Sequence, residues 1–143
     1  MGRFILAAVL ISTLTAGTEV VRAAGPHAAK PLKQGFAVFY SPGVMERVAA
    51  HRGLTKPPIA EGMAAVTDCS QIGKIAFASI NGGLVERYLI VDCSHPRDVA
   101  RHIAQGLVIE VDYQSAVRNN FHRDGKAPAL LWAIGSLNLG KGN

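Results

Sequence analysis

The sequence predicts a mainly β domain of six strands with one or two short helices. Short β-branched and aromatic runs bounded by turn residues recur at 35–40, 63–67, 74–80, 84–92, 107–112 and 127–134. Asn81-Gly82-Gly83 joins the third and fourth of these runs with residues that readily take the positive φ of a hairpin turn. Apolar residues at helical spacing are confined to two brief segments, 44–53 and 96–105.

Residues 1–23 read as a secretory signal peptide. Arg3 gives the positive start, residues 4–14 are apolar, and Val21-Arg22-Ala23 supplies a small-x-small cleavage pattern. The apolar run falls short of the roughly 20 residues that span a bilayer; an uncleaved anchor is the alternative reading. Cleavage removes two arginines and one glutamate, so the formal charge falls from +5 to +4. That modest positive balance suits anionic surfaces such as wall polymers. No Lys/Arg-rich run or basic-aromatic stripe marks a nucleic-acid footprint, and no later segment is apolar enough to cross a membrane. The expected mature protein is therefore secreted or periplasmic and monomeric, with no nucleic-acid partner, no stable membrane insertion and no cofactor.

Residues 24–34, interrupted by Pro26 and Pro31, read as a flexible lead-in, residues 35–136 as the domain, and residues 137–143 as a frayed tail. The strand at 35–40 is closed by Ser41-Pro42-Gly43. Residues 44–53 read equally as a loop or as one or two helical turns, with Val44, Val48 and Ala49 on one face and Gly53 as the stop. Pro57-Pro58 keeps 54–62 extended or turned. In 74–80, Ile75 and Phe77 alternate with Ala76, Ala78 and Ile80, so this strand is expected to be covered on both sides. In 84–92, Val85, Leu89 and Val91 face one way and Tyr88 and Ile90 the other. Pro96 starts and Gly106 stops a helix on which Val99, Ala100 and Ile103 recur at helical spacing. A helical turn at 113–119, a turn at Asp124-Gly125 and the apolar run 127–134, which closes the core, complete the domain.

Two cysteines in an exported chain predict a Cys69–Cys93 disulfide. The competing reading is a metal site using Cys69, Cys93 and His95, but its spacing matches no standard zinc pattern and no fourth ligand is evident. Asp-Cys-Ser occurs at 68–70 and again at 92–94, each time after a β-rich run. Either the repeat is coincidence, or it is the trace of a pseudo-twofold barrel that generates paired strand-then-loop units.

Four stretches resemble the double-psi β-barrel superfamily, in its barwin, expansin and rare-lipoprotein-A-like branch. Ala37-Val38-Phe39-Tyr40-Ser41 is similar to the opening strand of that branch. Residues 73–91 resemble its central hairpin, with a Gly-led strand, an Asn-Gly turn and a Val-rich return. Val91-Asp92-Cys93-Ser94 resembles the Val-Asp-x-Cys-Ser element of barwin and the corresponding loop of the lipoprotein members. Residues 108–112, followed by Ser115-Ala116, resemble a later strand. The order of the four, across residues 36–116, carries the likeness, which implies a small six-stranded double-psi β-barrel. Against the family pattern, the helix at 96–105 is an insertion between Asp92 and Asp112, and Cys93 stands where lipoprotein members carry arginine.

The resemblance implies a secreted protein that interacts with cell-wall polysaccharide, peptidoglycan above all. Two activities are open. One is cleavage of glycan strands in the manner of a lytic transglycosylase or glycoside hydrolase; the other is non-catalytic carbohydrate or protein binding. Cleavage needs a proton donor for the leaving oxygen, and inverting hydrolysis needs a second carboxylate about 6.5–9.5 Å away. The family's loop aspartate aligns with Asp92, which makes Asp92 the candidate general acid/base and Asp112 the second carboxylate. Each reads otherwise as a cap for the turn after its strand. Tyr40 is a candidate sugar-groove ring, Glu46 a third carboxylate from the first loop, and His95 and His102 candidate proton-exchange groups beside Asp92. Ser94 beside His95 makes no triad, because residues adjacent in sequence rarely align nucleophile and base.

Overall fold

The computed structural model describes residues 30–136; the predicted signal peptide, most of the lead-in and residues 137–143 lie outside the described residues. Six strands close a barrel: β1 (Lys33–Phe39), β2 (Gly62–Val66), β3 (Ile75–Ile80), β4 (Val85–Cys93), β5 (Leu107–Val111) and β6 (Ala127–Gly135), in the order β1-β5-β2-β4-β3-β6. The connections hold α1 (Val44–His51), α2 (Pro96–Ala104), α3 (Tyr113–Arg118) and a single 3-10 turn (Cys69–Gln71). β1 runs parallel to β5 and β2 parallel to β4, while the other neighbours are antiparallel. Exchanging β1 with β4, β2 with β5 and β3 with β6 returns the same neighbours in the same senses. The chain thus follows one strand-helix-strand-turn-strand path twice about a pseudo-twofold axis, the double-psi β-barrel. In this symmetry α1 answers to α2, and the 3-10 turn answers to α3.

The symmetry does not relate the two Asp-Cys-Ser tripeptides. The first follows β2 and the second ends β4, and the counterparts of these strands are β5 and β1. Because β2 and β4 are parallel neighbours, they deliver both tripeptides to the same end of the barrel. Val66 stands opposite Cys93, and Cys69 and Cys93 form a disulfide with Cα atoms 4.9 Å apart. With the two sulfurs bonded to each other, no thiolate remains for a metal.

Side-chain alternation sorts the layers. Alanines on β1, β2, β3 and β6 keep the barrel interior narrow, and Ile80, Tyr88, Ile109 and Leu131 fill it. On the outside, Met63, Ala65, Leu89 and Val91 are covered by Met45 and Ala49 of α1. The buried anchor of α1 is Met45 rather than Val44. Asn81 and Gly82 take φ of 54° and 71°, the paired positive values of the expected hairpin turn. One expectation changes. β3 is covered on its outer side only in part: Ile75 is buried but Phe77 is 36% exposed, because α1 packs on β2 and β4. The expected helix forms as α2, but none of its residues is buried, and Ile103 is 60% exposed.

β2, every residue of which is buried, is clamped at one end by Asp112. The Asp112 carboxylate accepts the backbone N–H of Met63 at 2.6 Å, the backbone N–H of Ser115 at 2.8 Å and the Ser115 hydroxyl at 3.0 Å. The Asp112 N–H donates back to the Met63 carbonyl at 3.0 Å, so one residue extends a ladder that otherwise pairs only Ala64 and Ala65 with β5. Room for this clamp requires Gly62: a Cβ there would stand 2.3 Å from Ser115 Oγ and 2.7 Å from Asp112 Oδ2. The network continues through Arg118, which donates to Ser115 Oγ at 3.0 Å and to Glu86 at 2.6 Å. Burial pushes the Glu86 carboxyl up, but hydrogen bonds from Arg118, Tyr88 and Asn119 win and hold it below its ordinary range.

Asp112→Ala leaves buried donors without partners, and we expect it to cost about 3 kcal/mol. Gly62→Ala should cost a similar ~3 kcal/mol by overpacking the same site, and the double variant should cost less than the sum because the two share partners. Urea-unfolding midpoints at constant slope measure all three; a loss below about 1 kcal/mol for Asp112→Ala would show that the clamp is dispensable. Replacing Cys69 and Cys93 together by serine should cost a further ~3 kcal/mol by the same measurement, as loop closure over 24 residues requires.

Candidate functional site

Asp92, Ala65 and Glu110 stand in one row across the barrel wall. Ala65 lies opposite Asp92 of β4 on one side and Glu110 of β5 on the other, and Val38 of β1 pairs with Glu110 beyond. The backbones that carry the two carboxyls are therefore two strand spacings apart, about 10 Å. Ala65, which stands between them in the ladder, is fully buried. Asp92 owes its place to a bulge: the register shifts between Ala64 and Ala65, which brings Asp92 rather than Val91 opposite Ala65. Without the extra residue, the alternation that aims Tyr88 and Ile90 inward would aim Asp92 inward as well.

Asp92 and Glu110, the two ends of the row, line an open groove of about 560 Å³. Tyr40, two residues beyond Val38, enters it from the end of β1, and Arg52 enters from the end of α1. Arg52 Nη2 lies 2.8 Å from Asp92 Oδ1, across 40 residues of sequence. The opposite wall is α2, which contributes Asp98, Arg101 and His102. Ser94 Oγ lies 2.8 Å from His102 Nδ1 and moors that wall to the loop after β4. A cation, Arg101 Nη2, stands 3.5 Å from His102 Nε2, where a serine-activating pair would carry a carboxylate.

The two carboxyls of the row have different surroundings. Burial pushes the Glu110 carboxyl above its ordinary 4.5, and the charge of Asp92 adds to the effect; His102 and Tyr40 pull the other way without prevailing. The Tyr40 hydroxyl is pushed up to about 12, by burial first and then by Glu110 and Asp92. Asp92, by contrast, has the guanidinium of Arg52 against it. The two carboxyls thus differ in environment: burial raises the proton affinity of Glu110, while Asp92 is ion-paired with Arg52.

Of the residues singled out from sequence, Asp92, Tyr40, His95 and His102 line this groove. His95 is exposed, and its ring accepts the Arg97 N–H at 3.4 Å as the N-cap of α2. Asp112 and Glu46 are not among the groove residues. Asp112 is buried in the β2 clamp as the N-cap of α3, and Glu46 lies exposed in the first turn of α1. Sequence reasoning missed Glu110 and Arg52. Glu110 carried a signal, as the lone charge in the otherwise apolar strand Leu107–Val111. Arg52 carried none, since its partner is set by packing of α1 on the barrel.

No family model matches this chain, and no curated protein matches it. Similar solved structures include an expansin of Clavibacter michiganensis in two forms. An aspartate-to-asparagine mutant in complex with cellohexaose is 15% identical over 72% of this chain and 50% of that one, with a TM-score of 0.47. The apo protein is 15% identical over 76% and 52% of the two chains, with a TM-score of 0.48. The chain spans about half the length of that expansin; its own strand order and pairing make it a double-psi β-barrel.

Proposed function

We propose that this protein is secreted to the cell wall and that its groove binds a β-1,4-linked amino-sugar polymer of the peptidoglycan type and cleaves it. One observation carries the reading: Glu110, whose proton affinity burial raises, and Asp92, paired with Arg52, line one open polar groove from strands on either side of β2. Glu110 donates its proton to the glycosidic oxygen as the C1–O bond breaks, and Asp92 stabilises the positive charge that develops at C1. The substrate's own C6 hydroxyl then attacks C1 and returns its proton to the Glu110 carboxylate, leaving a 1,6-anhydro end. Tyr40 borders Glu110 as the ring against which a sugar packs.

Digestion of purified peptidoglycan by the mature protein should release fragments with anhydro ends. Glu110→Gln should lower the rate by about 10²–10⁴-fold, the usual worth of a general acid, and Asp92→Asn should also lose turnover. Binding by wild type with no release of fragments would instead make the groove a non-catalytic glycan-binding site; no binding to any wall polymer would overturn the reading.

Glu110→Gln also has a stability signature. A carboxyl whose folded pKa is raised stabilises the fold fully below its unfolded pKa, and that contribution is lost as pH rises toward and through the folded value. Glutamine removes the cost of charging. The variant should therefore unfold at higher urea than wild type at pH 7, with the gap closing below pH about 4, where an ordinary carboxyl is protonated. Equal midpoints at pH 7 would show that burial at Glu110 carries no penalty.

A further inference from the structure

The connection from β4 to β5 is longer than the barrel requires. β2 separates these two strands and β4 runs antiparallel to β5, so the end of one and the start of the other stand at the same end of the barrel. The gap is two strand spacings, about 10 Å, which three or four extended residues cross. The chain instead runs from residue 94 to residue 106 and winds most of that length into α2. Nor does α2 serve the core. Its pseudo-symmetric counterpart α1 buries Met45 and Ala49 against the barrel, whereas α2 buries none of its residues. What α2 supplies is a wall of polar side chains, facing the Asp92–Glu110 row across the groove.

On the groove side of α2 Arg101 pairs with Asp98 at 2.9 Å, while Arg97, 3.9 Å from the same carboxylate, is not among the groove residues; only the helix as a whole carries two guanidiniums to one acid. Across the groove Asp92 is already paired with Arg52, and burial favours the neutral form of Glu110. The Arg101 side chain is 60% exposed, with donors free for a ligand, and a guanidinium presents them in a fork that matches a carboxylate.

Building on the glycan-binding reading above, we propose that α2 is the specificity wall of the groove and that Arg101 recognises a carboxylate carried by the polymer. The preferred substrate is then an acidic wall glycan rather than a neutral one. Asp98 holds Arg101 in place, and the Ser94–His102 hydrogen bond holds the helix against the barrel.

The test compares binding to peptidoglycan sacculi before and after their carboxyls are converted to neutral amides with carbodiimide and glycinamide. Wild type should bind the native sacculi roughly ten-fold more tightly than the amidated ones, the worth of one charge-assisted contact. Arg101→Gln should bind both at the lower level. Arg123→Gln, which removes the same charge from an exposed position outside the groove, should keep the preference. A variant with residues 95–105 replaced by a short Gly/Ser linker should lose it as Arg101→Gln does. Equal binding of wild type to both sacculi would overturn the role of α2 while leaving glycan binding intact. So would an equal loss in Arg101→Gln and Arg123→Gln, which would mark attraction by overall charge. Failure of wild type to bind either kind of sacculus would instead overturn the glycan reading itself.

Discussion

The position of β2 governs the rest of the molecule. It is five residues long, carries no side chain larger than methionine, and is buried throughout. It lies parallel to β4 and antiparallel to β5, and so decides which residues of those strands face each other across it. Such a short strand holds its register weakly by ladder hydrogen bonds alone. The chain fixes it at both ends, with the Asp112 clamp at Met63 and the disulfide just beyond Val66. A register slip of one residue would turn Ala65 toward the barrel interior and break the row that joins Asp92 to Glu110.

Pseudo-twofold symmetry explains where the groove lies. The axis passes between β2 and β5, and the groove takes its residues from β5, from the end of β4 and from just beyond β1. The two helices flanking the axis have diverged. α1 keeps an apolar face and covers the barrel; α2 keeps its helical form, from the Pro96 start to the Gly106 stop, but turns polar residues to the groove. A two-sided cleft follows from one path used twice, with one copy packed on the barrel and the other lining the groove.

Most of the fold was legible in the sequence because its signals are local. Asn81-Gly82 specifies a turn from two residues' φ preferences, and Pro96 with Gly106 brackets a helix within eleven positions. The disulfide was legible from an expected export and a count of two cysteines. The site was less legible because it depends on which strands are neighbours. The bulge that turns Asp92 outward is invisible in an alternation pattern that ends at the same residue. The exposure of Phe77 and of the α2 stripe depends on where α1 packs and on a connection that leaves the barrel, neither of which the periodicity of a single segment records.

The contrast between Glu110 and Asp112, two residues apart, separates a buried acid whose lost water is replaced from one whose lost water is not. Both were drawn out of water by the same stretch of chain. Asp112 is the more buried, at 5% exposure, yet three donors from Met63 and Ser115 replace the water it lost, so its burial is compensated and its contribution is to the fold. Glu110 has no such set of donors. Burial outweighs the help it receives from His102 and Tyr40, and the carboxyl is left with a raised proton affinity that does nothing for folding at neutral pH. A strand of five residues whose other members are all apolar could carry a valine or isoleucine there at less cost. That a carboxyl stands in this place, in one groove with the Arg52-paired Asp92, is the physical reason for assigning the chemistry of the groove to Glu110.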